Sequence, residues 1–160
     1  RDMLSRAERK ATAAGVDIDF SHGFADALPF DAGSFDVVVS SLFLHHLSRA
    51  GKTSAFSEIK RVLSPTGELM VADWGRPQNL LMRAAFFPVR LLDGMENTRD
   101  NVRGDLPLLI GASGFSRVDT LGNIATPLGT ISILTAVSNC AEAETPPTVA
   151  CSVERREMLS

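Results

Sequence analysis

The apolar residues of this chain are spaced in some segments as in helices and in others as in strands. Residues 3–14 and 55–63 have apolar side chains every three or four positions, which predicts two amphipathic helices. Residues 16–21 alternate apolar and polar side chains, and residues 35–40 and 68–73 contain the short apolar runs typical of buried strands. Strands that alternate with helices form parallel sheets through right-handed crossovers. The pattern therefore predicts an α/β fold.

The second half of the chain changes character. Residues 80–92 predict a helix kinked at Pro88, because proline lacks a donor and clashes with the preceding turn. Residues 106–112 predict a short helix. Residues 115–126 and 129–138 are strand-like and are joined by only two residues, which indicates an antiparallel hairpin. We expect the last strand to run antiparallel beside the strand that precedes the kinked helix.

The composition is that of an ordinary globular domain. The chain has 160 residues, of which 44% are hydrophobic and 22% charged, and its formal net charge is −3. This charge, without a long basic run, argues against nucleic acid or an anionic membrane surface as the main partner. The longest apolar stretch, residues 80–92, is interrupted by Arg83, Pro88 and Arg90 and is too short to span a bilayer.

The end of the chain differs from the rest. Residues 140–160 are rich in Ala, Glu, Thr and Pro and have no hydrophobic period. We expect one domain over residues 1–139 and a disordered tail over residues 140–160. Cys140 and Cys151 have no metal-ligand spacing and are interpreted as incidental reduced thiols of a cytoplasmic protein.

Five short motifs follow one another in one order: GFADALPF at 23–30, SFDVV at 34–38, LHHL at 44–47, ExxRVL at 58–63 and PTG at 65–67. The series resembles that of the class I S-adenosylmethionine-dependent methyltransferases that include the ubiquinone and menaquinone methyltransferases: G-D-A-x-x-L-P-F, S-F-D-V-V, L-H-H-L, E-x-x-R-V-L-x-P-G-G. The resemblance covers residues 2–137. It implies a Rossmann-like methyltransferase fold, S-adenosyl-L-methionine as the cofactor, and methyl transfer to a small-molecule acceptor, which the apolar residues 80–92 suggest is partly apolar.

Two elements of that family are absent from this sequence. The family has a first strand with a Gly-rich loop for the methionine part of the cofactor, and a second strand ending in an acid for the ribose. None of Gly111, Gly114 and Gly122 follows a buried strand. We expect both elements to precede Arg1. The missing segment would have roughly 60–80 residues if the whole domain has the size of an ordinary single domain. The fold would then lack its first two strands, and the chain alone would be inactive.

The missing strands have a structural consequence and leave an alternative function open. In the family's strand order they lie between residues 16–21 and 35–40, so these two segments should not be sheet neighbours at the family's spacing. Either a gap with unpaired strand edges remains, or the two strands collapse together and distort the cofactor crevice. The alternative is a non-catalytic remnant that serves as an interaction module, which the missing loop and Phe24 favour. A nicotinamide oxidoreductase would share the sheet but not the motifs.

Ligands of open α/β sheets bind beyond the carboxyl ends of the strands, which points to residues 23–26, 40–46 and 73–76. Within them, the cofactor-binding candidates are Phe24, Ala25, Asp26, Ser40, Ser41 and Leu42. Phe24 departs from the family, which has Asp or Asn near the adenine amine. A phenyl ring can pack on adenine but cannot accept its hydrogen bond. Simple packing of Phe24 and self-capping of the strand end by the two serines are the alternatives.

The acceptor side is expected to contain Phe43, His45, Trp74 and Arg76. No catalytic residue is assigned, but His45 and His46 are candidates for a base or a substrate-orienting group. Adjacent residues on a helix face different ways, so at most one should point into the cleft. Two histidines without a third ligand make a poor metal site, and no metal is expected.

Two acidic residues are expected to be structural rather than catalytic. Asp36 begins a buried strand, and Glu58 lies three residues before Arg61, which is an ion-pair spacing on a helix. An obvious catalytic triad is not required for methyl transfer, because alignment of two reactants can contribute roughly 7–11 kcal/mol.

Overall fold

The computed structural model describes residues 2–138, with side chains from residue 4 onward. The predicted tail and both cysteines lie outside this range. A 3-10 turn covers Leu44–His46. The helices are α1 (Asp2–Ala14), α2 (Arg49–Val62), α3 (Leu80–Ala85), α4 (Phe87–Asp93), α5 (Arg99–Arg103) and α6 (Leu106–Ala112). The strands are β1 (Phe35–Ser41), β2 (Leu63–Trp74), β3 (Ser116–Thr126) and β4 (Gly129–Val137).

The four strands form one mixed sheet in the order β1-β2-β4-β3. β1 and β2 run parallel, joined by the crossover helix α2. β4 runs antiparallel to β2, with Glu68 opposite Val137 and Trp74 opposite Ile131. β3 and β4 form the hairpin, whose strands are joined by two residues. The predicted α/β fold and the position of the last strand are confirmed.

The predicted strand at residues 16–21 is wrong, because this segment has no regular secondary structure. A strand needs a hydrogen-bonded neighbour, and alternating polarity alone does not supply one. Among the described residues, β1 has β2 as its one neighbour and forms an edge of the sheet. The prediction that residues 16–21 and β1 are not sheet neighbours is therefore confirmed. Val37 and Val39 of β1 are 51% and 67% exposed.

The predicted kinked helix at residues 80–92 is two helices, α3 and α4, which meet at Phe86. Pro88 lies in the first turn of α4, where its missing N–H costs nothing, so it starts a helix rather than kinking one. Phe86 is buried and packs on Trp74, with ring centroids 4.9 Å apart. The outward side of the pair is apolar and exposed, at Leu80, Leu81, Leu91 and Leu92.

The core lies between the sheet and the helices α2 and α6. The Ser48 hydroxyl caps α2 by accepting a hydrogen bond from Gly51 N at 3.2 Å. The buried core side chains are Leu44, Phe56, Ile59, Leu63, Leu69, Val71, Leu106, Leu109, Ile110, Phe115, Leu134 and Ala136. α6 has Pro107 in its first turn and is followed by Gly114 at φ +89°, as predicted. Over residues 2–138, no helix is long and apolar enough to cross a membrane.

Candidate functional site

A cavity of about 240 Å³, the β1 crevice, opens at the carboxyl end of β1. Its lining is Ala25, Leu28, Val38, Val39, Ser40, Ser41, Phe43, Leu44, Ala55 and Ile59. A second cavity of about 370 Å³ shares Ala25 and Phe43 with the crevice, and its further lining is Gly23, Phe24, Asp26, Leu47 and Gly51. Five of the six predicted cofactor residues line these two adjoining cavities. Leu42 is the exception.

The β1 crevice is apolar except for the serine pair at the end of β1. Within the described residues, the Ser40 hydroxyl is buried and has no hydrogen-bond partner. A buried hydroxyl without a partner costs free energy, and a bound molecule that reaches it would remove that cost. The Phe24 ring, 78% exposed, lies at the open side and is free to pack on a flat ligand.

The turn after β1 holds the crevice wall in a strained backbone conformation. Leu42 has φ +49°, which is uncommon for a residue with a β-carbon. Its N–H donates to the Ala72 carbonyl at 2.8 Å, and the next two N–H groups, of Phe43 and Leu44, donate to Asp73 Oδ2 at 3.2 and 2.7 Å. Leu42 thus shapes the turn instead of lining the crevice, and its neighbours are fixed by β2.

Asp73 is the organising residue of this region. Its carboxylate is fully buried, and besides the two N–H groups on Oδ2, three donors reach Oδ1. These are Trp74 N at 2.7 Å, His45 Nδ1 at 2.7 Å and Asn101 Nδ2 at 3.3 Å. Sequence reasoning missed this role, although an acid that directly ends a buried strand is the signal that could have revealed it.

The two histidines lie in the Leu44–His46 turn, and neither lines the β1 crevice or the cavity beside it. Their ring centroids lie 4.0 Å apart, so the expectation that the two side chains diverge is wrong. Neither ring enters the crevice, where at most one was expected. The segment is a short 3-10 turn rather than an α-helix, and both rings reach the same carboxylate. His45 Nε2 lies 3.7 Å from Asp93 Oδ2, and His46 Nδ1 lies 3.6 Å from Asp93 Oδ1.

The four predicted acceptor-side residues are not brought together. Phe43 lines the β1 crevice. Trp74 is not in that lining and lies between Phe86 and the edge of His45, at centroid distances of 4.9 and 6.4 Å. Arg76 lines a separate polar cavity of about 580 Å³ together with Arg83 and Arg103. The structure therefore does not place Arg76 in the cavity that Phe43 lines, where the acceptor side was expected.

Both acidic residues expected to be structural have structural partners. Arg61 donates to Glu58 at 2.7 and 2.9 Å, and this hydrogen bond lowers the pKa of Glu58 and raises that of Arg61. Glu58 also accepts from Leu28 N at 2.9 Å, which ties the loop over the crevice to α2. Asp36 accepts from the Ser64 hydroxyl at 3.1 Å.

A buried lysine, unforeseen from the sequence, joins α2 to α5. Lys52 Nζ donates to the carbonyls of Leu47 and Asn97 at 2.8 and 2.5 Å and lies 3.5 Å from Asp100 Oδ2. Burial lowers the pKa of Lys52, against the opposing effect of Asp100. Asp100 also receives Arg49 Nη1 at 2.6 Å. This network fixes the turn with the two histidines from its outer side.

Comparisons with known proteins agree with this geometry. The family described as "Methyltransferase domain" matches residues 1–67. An uncharacterized methyltransferase of Synechocystis is 33% identical over 102 residues, which are 62% of this chain and 47% of that protein. The demethylmenaquinone methyltransferase of Thermus thermophilus is 39% identical over 75 residues, 47% of this chain and 33% of that protein. The chain spans about half or less of the length of such curated relatives.

Solved structures share the fold. A methyltransferase described as SAM-dependent from Methanosarcina mazei aligns over 82% of this chain and 74% of its own, with a TM-score of 0.61 at 19% identity. The carbon methyltransferase CurJ aligns over 85% of this chain and 39% of its own, with a TM-score of 0.63 at 18% identity. The motif order, the sheet and the match of residues 1–67 together support the class I S-adenosylmethionine-dependent methyltransferase family for this chain.

Proposed function

We propose that the full-length protein transfers a methyl group from S-adenosylmethionine to a small, partly apolar acceptor. The observation that carries this proposal is the β1 crevice. It lies beyond the carboxyl end of a parallel strand, where open α/β sheets bind their ligands. The crevice and its neighbour measure about 240 and 370 Å³, and together they fall in the range of small-molecule sites, roughly 300–1,000 Å³.

The residues present fit part of this cofactor. The exposed Phe24 ring offers a flat apolar surface for an adenine, with Asp26 beside it in the same cavity. The unpartnered Ser40 hydroxyl offers a hydrogen bond inside the crevice, within the described part of the chain. These groups would hold the nucleoside and neighbouring atoms, while the carboxylate of the methionine part has no charged partner in the crevice lining.

When bound, the cofactor supplies the reactive methyl group, and the protein supplies binding and orientation. The residues of this chain orient the bound molecules by means of a crevice wall whose backbone is fixed by hydrogen bonds. Asp73 holds the backbone of Phe43 and Leu44, and both side chains line the crevice. The apolar lining excludes water from the space between the two reactants. Such fixed alignment accounts for much of the rate enhancement in reactions of two bound partners.

The acceptor is proposed to be partly apolar because aromatic and aliphatic side chains lie next to the crevice wall. Trp74, which follows the carboxylate that holds the Phe43 backbone, packs on Phe86, and α3 and α4 on either side of Phe86 carry exposed leucines. Two curated relatives are named as a demethylmenaquinone methyltransferase and a ubiquinone/menaquinone biosynthesis C-methyltransferase. Quinone-like aromatic molecules are therefore the first acceptors to test.

The test is titration calorimetry and a methyl-transfer assay on the full-length protein. We expect S-adenosylmethionine to bind, and Ser40→Ala to weaken that binding by about fivefold to tenfold, the loss of one hydrogen bond worth roughly 1 kcal/mol. Ser57→Ala, on the exposed face of α2, is the matched control and should bind as the wild type does. Absence of cofactor binding by the full-length protein would refute the proposal.

A non-catalytic interaction module remains the second candidate function. The exposed leucines of α3 and α4, 68–86% exposed, favour it because contiguous apolar surface is typical of protein contacts. The same calorimetry distinguishes the two functions. A full-length protein that binds no S-adenosylmethionine, yet associates through α3 and α4, would be such a module.

A further inference from the structure

We propose that His45, His46 and Asp93 form a binding site for a divalent metal ion of the zinc class. One ligand atom from each residue lies within 4.8 Å of the others. Asp93 ends α4, so the site joins this helix to the Leu44–His46 turn. The sequence supplied two adjacent histidines but no third ligand, and the fold adds Asp93 from far along the chain. This proposal is independent of whether the protein transfers methyl groups.

The distances suit a small tetrahedral ion. Zinc bonds to nitrogen and carboxylate oxygen are about 2.0–2.2 Å long, which places neighbouring ligand atoms roughly 3.3–3.5 Å apart. The carboxylate oxygens of Asp93 lie 3.7 Å from His45 Nε2 and 3.6 Å from His46 Nδ1. These two distances go to different oxygens, and the three ligand atoms lie within 4.8 Å of one another, so closing the site requires them to approach by up to about 1.5 Å. A side-chain rotation of the half-exposed His46 would supply most of this approach.

A buried carboxylate orients the first ligand. Asp73 Oδ1 lies 2.7 Å from His45 Nδ1, and both side chains are at least 95% buried. This carboxylate keeps the proton on Nδ1, so the Nε2 lone pair faces Asp93. A lone pair directed at a carboxylate calls for a cation between them. Metal-binding histidines characteristically donate their second ring N–H to a carboxylate in this way, which fixes the tautomer and raises ligand basicity.

The ligand chemistry selects the class of ion. Two imidazole nitrogens and one carboxylate oxygen are a set that zinc and its transition-metal neighbours accept, whereas magnesium and calcium prefer all-oxygen sites. Three protein ligands leave one position open. His46, whose side chain is 52% exposed, leaves that position accessible to solvent or to a small molecule.

The experiment uses the 160-residue chain carrying Cys140→Ser and Cys151→Ser, so that thiols cannot bind the probe. After treatment with EDTA, the protein is titrated with zinc chloride by calorimetry and with cobalt chloride by visible absorption. We expect one zinc per chain and the intense visible bands of tetrahedral cobalt. Asp93→Asn and His46→Ala should each weaken zinc binding by about 10–100-fold, the range seen even for supporting residues of metal sites.

Two matched controls accompany these variants. His22→Ala and Asp119→Asn change an exposed histidine and an exposed aspartate elsewhere, and zinc binding should be unchanged. His46 and Asp93 are both solvent-accessible, and each tests the site separately if the other variant fails to fold. The proposal would be overturned if zinc bound more weakly than millimolar, or if Asp93→Asn and His46→Ala both bound zinc as tightly as the protein without these substitutions. The first outcome would mean that the two histidines and Asp93 contact one another without a metal ion between them.

Discussion

Replacing Asp73 by Asn tests whether one buried carboxylate holds together the end of β2 and the turn after β1. Five donors converge on Asp73, and Asn has a single acceptor oxygen. If this oxygen serves the N–H groups of Phe43 and Leu44, the new amide group faces the donors of Trp74 and Asn101, and also His45 Nδ1, which can accept from it in the other tautomer. Each buried donor left without an acceptor costs about 1–3 kcal/mol. The free energy of unfolding should therefore fall by roughly 2–5 kcal/mol, a large part of the about 5–15 kcal/mol of an ordinary domain.

The assay is equilibrium unfolding in urea, in the presence of EDTA so that bound metal does not contribute. The chain has one tryptophan, Trp74, directly beside the substitution, and its fluorescence reports the local environment. Circular dichroism reports the helices independently. The matched control is Asp36→Asn, which exchanges an exposed carboxylate with one hydroxyl donor and should change stability by less than about 0.5 kcal/mol. If Asp73→Asn costs less than about 1 kcal/mol by both probes, the carboxylate does not organise the turn.

Three further outcomes are expected. Because burial lowers the pKa of Lys52, the unfolded chain binds the Lys52 proton more tightly than the folded chain does, and the free energy of unfolding should rise with pH towards the ordinary lysine pKa. This rise should be smaller in Lys52→Met, and an identical pH profile of the two proteins would contradict the expectation. The 160-residue chain has no Gly-rich loop, so calorimetry should give a dissociation constant for S-adenosylmethionine of about 1 mM or weaker, near −4 kcal/mol, and micromolar binding would contradict this expectation. Phe56→Ala should cost about 3–5 kcal/mol in urea unfolding, whereas Leu92→Ser, at a position 86% exposed, should cost under about 0.5 kcal/mol; similar costs would mean that the buried face is assigned wrongly.

The sheet was predictable because local signals coincided with its pairing. The β-branched run in β1 and the apolar run in β2 indicate parallel strands, and the two-residue connection at Pro127 and Leu128 indicates an antiparallel hairpin. The burial that such a run also predicts is absent from β1, whose Val37 and Val39 are exposed. Residues 16–21 show where such signals fail. Alternating polarity describes a half-exposed extended segment equally well whether or not another strand lies beside it.

The candidate site was predictable only where it follows from strand ends. Ala25, Ser40, Ser41 and Phe43 line the crevice because they lie at or opposite the carboxyl end of β1. The grouping of His45, His46 and Asp93 depends on how α4 returns to the Leu44–His46 turn. The spacing of apolar residues does not predict that long-range contact. It also does not predict the 3-10 geometry of the Leu44–His46 turn, which brings both rings to the same side.

The open edge of β1 also bears on the solubility of this 160-residue chain. Within residues 2–138, the outer backbone groups of β1 have no strand beside them, and the strand contains three consecutive valines and neither Pro nor Lys. Such an edge can take up a strand from another molecule, so that sheets grow between chains as concentration rises. A lysine at Val37, which is 51% exposed and does not line the β1 crevice, would place charge beside that edge without disturbing the core. In the chain without this lysine, self-association rather than unfolding would limit the concentration that can be reached in solution.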